Sequence, residues 1–223
     1  MEMEPIWLSI KLATITTIFL LFIGIPVAYW LSRKQNIFKL IIEAFITMPL
    51  VLPPSVLGFY LLIAFSPNNA FGIWLHQHFN LQLVFSFKGL ILASIIYSLP
   101  FMVSPLKAAF SHLPKSMSEA SYVMGKSKMK TFFYVLLPNI KPAVFTAAVL
   151  TFAHTLGEFG VVLMIGGNIP GETKVASIAI YDAVETLDYS AANAYALILF
   201  AITFIIVIGV FVLNRNAVKS PFE

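Results

Sequence analysis

His154 and Glu158 are the two side chains best placed to do chemistry. They are four residues apart in the stretch Pro142 to Gly166, which is otherwise free of ionisable groups. If that stretch is one helix, both leave the same face. An imidazole and a carboxylate so placed can exchange a proton, ligate a metal ion or line a polar path. Ligation needs at least a third donor, and none stands near, so no metal site is assigned. Thr151 and Thr155 flank His154, but there is no Gly-x-Ser-x-Gly, no His-Glu-x-x-His, no pair of intramembrane Asp and no cysteine. No catalytic residue is assigned, and the chain is not read as an enzyme. A charge near mid-bilayer costs on the order of 3 kcal/mol, so the pair is expected to face a protein interior, a subunit contact or an aqueous path. Gly125-Lys126-Ser127 imitates the end of a phosphate-binding loop, which needs a glycine at the position held by Ala120. The chain is expected to hold no nucleotide of its own.

The elements that position these residues follow from composition. Of 223 residues, 59% are hydrophobic and 11% charged, with 21 Phe. Soluble domains carry about 25% charged residues. The expected class is an all-α polytopic membrane protein, with residues 1–223 forming a single transmembrane domain. Five stretches are long enough for a hydrocarbon core that takes roughly 20 helical residues to cross. They run from about Ile6 to Leu31, Leu40 to Phe65, Phe87 to Phe110, Pro142 to Gly166 and Ala191 to Leu213. The first lacks a basic lead and is too long for a cleavable signal. Arg33, Lys34 and Lys39, then Lys107, Lys115, Lys126, Lys128, Lys130 and Lys141, then Arg215 and Lys219 fall on one side, against Lys88 and Lys174 on the other. The positive-inside rule places the N-terminus outside and the C-terminus in the cytoplasm. The net charge of +4 is therefore topology, and no nucleic-acid surface is expected.

The spans are not plain anchors. Pro49, Pro53 and Pro54, followed by Ser55, crowd the second; Pro100 and Pro105 fall in the third, Gly24 and Pro26 in the first. Each proline removes a donor and disturbs the preceding turn. Broken backbone survives in lipid only where protein or a water-filled cavity covers it, so these helices are expected to line something. Lys11 is expected to snorkel to the outer interface, and Glu43 to pair with Lys39.

Residues 111–138 form a loop between the third and fourth spans. Pro114, Ser116 and Ser118 mark a helix start, with Glu119 expected in its first turn, where the macrodipole favours a carboxylate. Val123, Phe132, Phe133 and Val135 supply apolar positions, so by itself the loop reads as an amphipathic helix on the inner leaflet. Within it Glu119-Ala120-Ser121, then Gly125, then Val135, Leu137 and Pro138 resemble the EAA motif of ABC importer permeases, with Ser121 for the second Ala and Val135 for Ile. Met48 to Pro54 looks like the proline-rich second span of the oxyanion permeases. Leu156-Gly157-Glu158-Phe159-Gly160, with the loop Ile165 to Thr173, is similar to the molybdate and sulfate group.

The resemblance implies a type I importer permease. Its EAA segment docks on a separate ATP-binding cassette subunit that carries ATP and Mg, with Gly125 allowing the close turn. Two copies each of permease and ATPase are implied, with a periplasmic oxyanion-binding protein and a bacterial inner membrane. Pro49, Pro53, Pro54, Ser55, His154, Gly157, Glu158 and Phe159 are then pathway or gate candidates, and Asn168, Pro170, Gly171 and Thr173 an external loop. The short chain favours molybdate or tungstate as cargo; the alternative is a sulfate or thiosulfate importer. Beyond that loop a short surface helix is expected, and then Ser190 as the cap of the last span.

Overall fold

A computed structural model describes residues 2–34 and 36–217, and every regular element among them is helical. α1 (Glu4–Ser32) starts with Pro5 in its first turn, where a missing N–H costs nothing. Its buried stripe Leu8, Leu12, Thr16, Leu20, Gly24 and Ala28 repeats every four residues and packs along α5 (Phe87–His112). Gly24 makes the approach possible, since a Cβ there would lie 2.5 Å from Met102 Cγ.

α2 (Ile37–Val51) is capped by Asn36, whose Oδ1 accepts from Lys39 N at 2.9 Å. It ends at Leu52, and α3 (Pro54–Phe65) leaves at 115°. Leu52 and Pro53 each precede a proline and are extended, with ψ of 139° and 135°. The expected second span is thus two helices meeting at a sharp corner. α4 (Ala70–Phe79), in a stretch the sequence left without an element, is capped by Asn69 and ends at Asn80 in the left-handed region, φ 49°. α5 is capped by Ser86 and runs unbroken through Pro100 and Pro105.

After α5 come α6 (Lys115–Val123) and α7 (Lys128–Thr131), a π-helical turn over Phe132–Leu136, and α8 (Leu137–Asn139). Leu137 N reaches back five residues to Phe132 O because Pro138 cannot continue the ordinary ladder. α9 (Lys141–Leu156) departs from that segment at 73°. The expected fourth span does not continue: α9 stops at Leu156 and α10 (Gly160–Gly166) begins after a break at Gly157–Phe159. α11 (Ala176–Glu185) and α12 (Tyr189–Ala217) complete the order. α11 is not a purely surface helix, because Ala176, Ile178, Ala179 and Ala183 are buried. The cap of α12 is Asp188, whose Oδ1 accepts from Ala191 N at 3.0 Å, and not Ser190.

Among the described residues three helices, α1, α5 and α12, are long and apolar enough to cross a membrane, or up to five spans if each bent pair counts as one. The inner core joins Leu20, Ala28 and Leu31 of α1 to Met102, Leu106 and Phe110 of α5 and Ala147 of α9. A second core joins Leu8 and Leu12 to Leu90, Val161, Ile165 and Ile178. α12 buries only 6% of its apolar window, leaving one face for lipid or another chain. One expected contact differs. Glu43 pairs with Lys107 of α5, whereas Lys39 is buried and donates to the Trp30 carbonyl. Lys11 lies over the Phe87 ring, 4.8 Å from its centroid. Lys219 lies outside the described residues.

Candidate functional site

Two helix breaks touch. Gly160, the first residue of α10, sits on the corner between α2 and α3. A Cβ there would lie 2.8 Å from Pro54 Cβ and 3.3 Å from Ser55 N. One turn along α3, Gly58 meets α10 in the same way, with Met164 Cβ 2.7 Å from its own would-be Cβ. Pro53, Pro54 and Ser55 are exposed at this corner, and Pro49 is buried within α2 a turn earlier. Gly157 is exposed, and Phe159 packs its ring against Tyr181 at 5.2 Å.

His154 lies in the last turn of α9 and Glu158 in the second break itself, instead of sharing a helix, yet both meet α5. Glu158 is 4% exposed; its Oε2 accepts from Ser94 Oγ at 2.8 Å, and Oε1 has no partner among the described residues. Its backbone carbonyl accepts from Ser177 Oγ of α11 at 2.6 Å. His154 Nδ1 is 2.9 Å from Ser98 Oγ, which is 2.8 Å from Thr155 Oγ1. The imidazole is stacked on Phe101 at 3.8 Å and tilted against Tyr97 at 4.9 Å. Ser94 and Ser98, one helical turn apart, thus anchor the break and the end of α9 before it to a continuous helix. Sequence reasoning did not single them out; two serines at i and i+4 in an apolar span were the available signal. Buried hydroxyls with such partners offset the cost of taking a carboxylate and an imidazole from water. Among the described residues no cluster of three or more His, Cys, Asp or Glu could hold a metal.

The EAA segment is a helix–turn–helix rather than one amphipathic helix. Glu119 lies in the second turn of α6, not the first, and is exposed with Ala120. Ser121 is buried, and its Oγ is 2.9 Å from Thr131 Oγ1 of α7, so the departure from Ala ties the two helices together. Gly125 takes φ +74° with nothing near its Cβ position, and Lys126 N returns to Ser121 O at 3.1 Å. A left-handed residue at this place suits glycine. The turn pushes apolar side chains outward: Val123 is 89% exposed, Met124 68% and Met129 65%. Beyond it Val135, Leu137 and Pro138 are half-buried at the root of the loop, where Asn139 Nδ2 donates to Val135 O at 2.6 Å.

The loop after α10 is tightly ordered. Thr173 is fully buried; its Oγ1 donates to Gly166 O at 2.7 Å and accepts from Ile169 N at 3.1 Å. Gly171, after Pro170, has φ +79°. Asn168 Nδ2 reaches both Asp182 oxygens at 2.7 Å, and Lys174 pairs with the same carboxylate. Partial burial alone would raise the Asp182 pKa; the Lys174 ammonium and the Asn168 amide outweigh it and hold it below the ordinary value. A depressed carboxylate stabilises the fold above its unfolded pKa, and that stabilisation is lost as pH falls through the folded value. The group is partly exposed, so solvent screening keeps the effect under about 1 kcal/mol. The Tm gap between wild type and Asp182→Asn is expected to be present at pH 7 and to close below about pH 4. A gap unchanged at pH 3 would remove the ion pair from the account.

The bent-helix bundle has known counterparts. The family described as binding-protein-dependent transport system inner membrane component matches residues 21–220. The chain belongs to this family. It is 46% identical to the molybdenum transport system permease protein ModB of Azotobacter vinelandii, over 86% of this chain and 85% of that one. It is 36% identical to ModB of Haemophilus influenzae, over 83% and 81%. The probable sulfate transport system permease protein cysT of Prototheca wickerhamii is 32% identical over 89% and 78%. Among solved structures, the inward-facing MetNI methionine ABC transporter aligns at TM-score 0.73 and 18% identity, over 96% of this chain and 95% of that one. A bacterial alginate ABC transporter, in complex with a periplasmic protein bound to an alginate pentasaccharide, aligns at 0.77 and 16%, over 98% and 80%. The family member is thus a multi-pass membrane permease with the type I ABC importer fold.

Proposed function

We propose that this chain is the membrane-spanning subunit of an ATP-driven importer of molybdate or tungstate. It works as a homodimer with two ATP-binding cassette subunits and a periplasmic oxyanion-binding protein. ATP and Mg belong to the partner subunit. The carrying observation is the apolar tip around Gly125: Val123, Met124 and Met129 are exposed together, and a loop in water does not hold three such side chains out without a use. The cargo reading rests on the molybdenum permeases named above. The N-terminus is outside and the C-terminus in the cytoplasm of a bacterial inner membrane, which puts the basic tip on the ATPase side.

In this reading ATP binding draws the two cassettes together and α6 moves with them. The force enters α9 through the π-helical turn ahead of Pro138 and reaches the touching breaks at Pro53–Pro54 and Gly157–Phe159. Those breaks absorb the change between outward and inward openings, as hinge positions do. The spans hold few cations, which suits a path that passes a dianion without retaining it, with affinity left to the binding protein. Asn168, Pro170, Gly171 and Thr173 form the external rim.

Uptake of labelled molybdate by cells with and without the chain, repeated under a large excess of sulfate, tests the reading. Chain-dependent uptake that survives sulfate is the expected result. Abolition by sulfate would move the cargo to sulfate or thiosulfate, the second reading that the cysT relative favours. Uptake independent of the chain would sink both.

A further inference from the structure

A cleft of about 750 Å³ opens between the ends of α1 and α5 and the start of α6. Its size lies within the roughly 300–1,000 Å³ typical of ligand sites. Arg33, Lys34 and Lys115 line it, against the single carboxylate of Glu119. None of the three cations has a carboxylate partner among the described residues. Arg33 lies over the Tyr29 ring, 4.7 Å from its centroid, and donates to the Tyr29 hydroxyl. A guanidinium stays charged at neutral pH, so Arg33 presents a permanent cation to the cleft. Ser111 adds a hydroxyl donor to the walls, whereas the hydroxyls of Ser32 and Ser118 already donate to Tyr29 O and Lys115 O. α6 begins at Pro114 with no side-chain cap, so the positive end of a nine-residue helix meets the same space. A planar guanidinium, two ammonium groups, one hydroxyl and an uncapped helix start are the donor set that holds a tetrahedral phosphate-type anion.

We propose that this cleft binds one tetrahedral oxyanion of the phosphate class per chain, locking the end of α1 to the EAA helix. The same chemistry is offered by two sources, the phosphate of an anionic lipid headgroup in the inner leaflet and a free inorganic oxyanion. The occupant bridges Arg33 of α1 to Lys115 of α6, so it sets how firmly α6 is held against the spans. This binding does not depend on the identity of the cargo.

The assembled transporter, purified and stripped of lipid, supplies the test. Phosphatidylglycerol and phosphatidylcholine are offered separately and retention is read by native mass spectrometry; inorganic phosphate labelled with ³²P is offered by equilibrium dialysis. Wild type is compared with Arg33→Ala, Lys115→Ala and the conservative Arg33→Lys. Phosphate sites on the ATPase are common to all four, so the difference between variants reports the cleft. The expected result is one anion per chain, retention of phosphatidylglycerol over phosphatidylcholine or saturable phosphate binding, weakened about tenfold in each alanine variant and largely kept in Arg33→Lys. Lipid retention without phosphate binding assigns the headgroup as occupant, and the converse assigns the free anion. Lys115 is exposed and touches no core, so Lys115→Ala remains informative if Arg33→Ala does not fold. Equal binding by wild type and Lys115→Ala, or no preference of either probe over phosphatidylcholine, overturns the proposal.

Discussion

Val123→Asp is expected to end uptake while leaving the chain folded and in the membrane. Val123 is 89% exposed, so nothing in its own chain is lost when it is replaced. Seating a valine in a partner's groove contributes about 1.5–3 kcal/mol. An aspartate in the same place forfeits that gain and adds the cost of a carboxylate taken from water, several kcal/mol more unless it is paired. At 1.4 kcal/mol per tenfold, the contact weakens by well over a hundredfold. The ATPase subunit should then no longer co-purify, and labelled uptake should fall to the level of cells lacking the chain. Gly125 sharpens the test, because its φ of +74° is accessible to Asn but strains a β-branched residue. Gly125→Asn is expected to keep the turn and most transport, and Gly125→Val to lose it. If the tip rests on the inner leaflet instead, Val123→Asp would release it from lipid and leave ATPase binding intact. Undiminished co-purification would therefore remove the docking assignment.

The sequence carried the class and the breaks further than it carried the contacts. Hydropathy placed α1, α5 and α12, because an unbroken apolar run of this length has no other stable use. The crowded prolines announced a disrupted second span, but a missing N–H says only that the ladder stops, not that the chain turns through 115°. The end of α9 at Gly157 was harder still, since Gly157, Gly160 and Gly166 are tolerated inside membrane helices and the hydropathy does not fall across them. Reading His154 and Glu158 as one helical face was therefore wrong in its local geometry. Both nonetheless reach α5, because Ser94 and Ser98 supply hydroxyls at the matching spacing. The choice of Lys107 over Lys39 for Glu43 is tertiary information: α2 packs on α5, and no one-dimensional pattern states which lysine arrives. The EAA residues were visible by spacing, whereas the bond from Ser121 to Thr131 that closes the turn was not.

Gly160→Leu is the second substitution with a large expected effect, and it acts where the two breaks meet. A Cβ alone would come within 2.8 Å of Pro54 Cβ, whose ring cannot swing aside as a flexible side chain would. The remaining leucine atoms must displace the start of α3 or the whole of α10. Overpacking of this kind costs typically about 1–3 kcal/mol, and here the strain falls on the junction the transport cycle has to move. Uptake is expected to drop at least tenfold and the Tm of the purified transporter by several degrees, with Gly160→Ala intermediate in both. Gly58→Leu should behave alike, since a side chain there meets Met164 Cβ and the Val161 backbone from the opposite helix. Gly209→Leu provides the contrast: nothing lies within 4 Å of its Cβ position, so neither uptake nor Tm should change. A hinge and a mere packing contact differ in how the two readouts scale. If the junction moves during transport, Gly160→Ala loses uptake out of proportion to its Tm. If uptake simply follows the folded fraction, the paired breaks are a fixed corner and the moving element lies elsewhere.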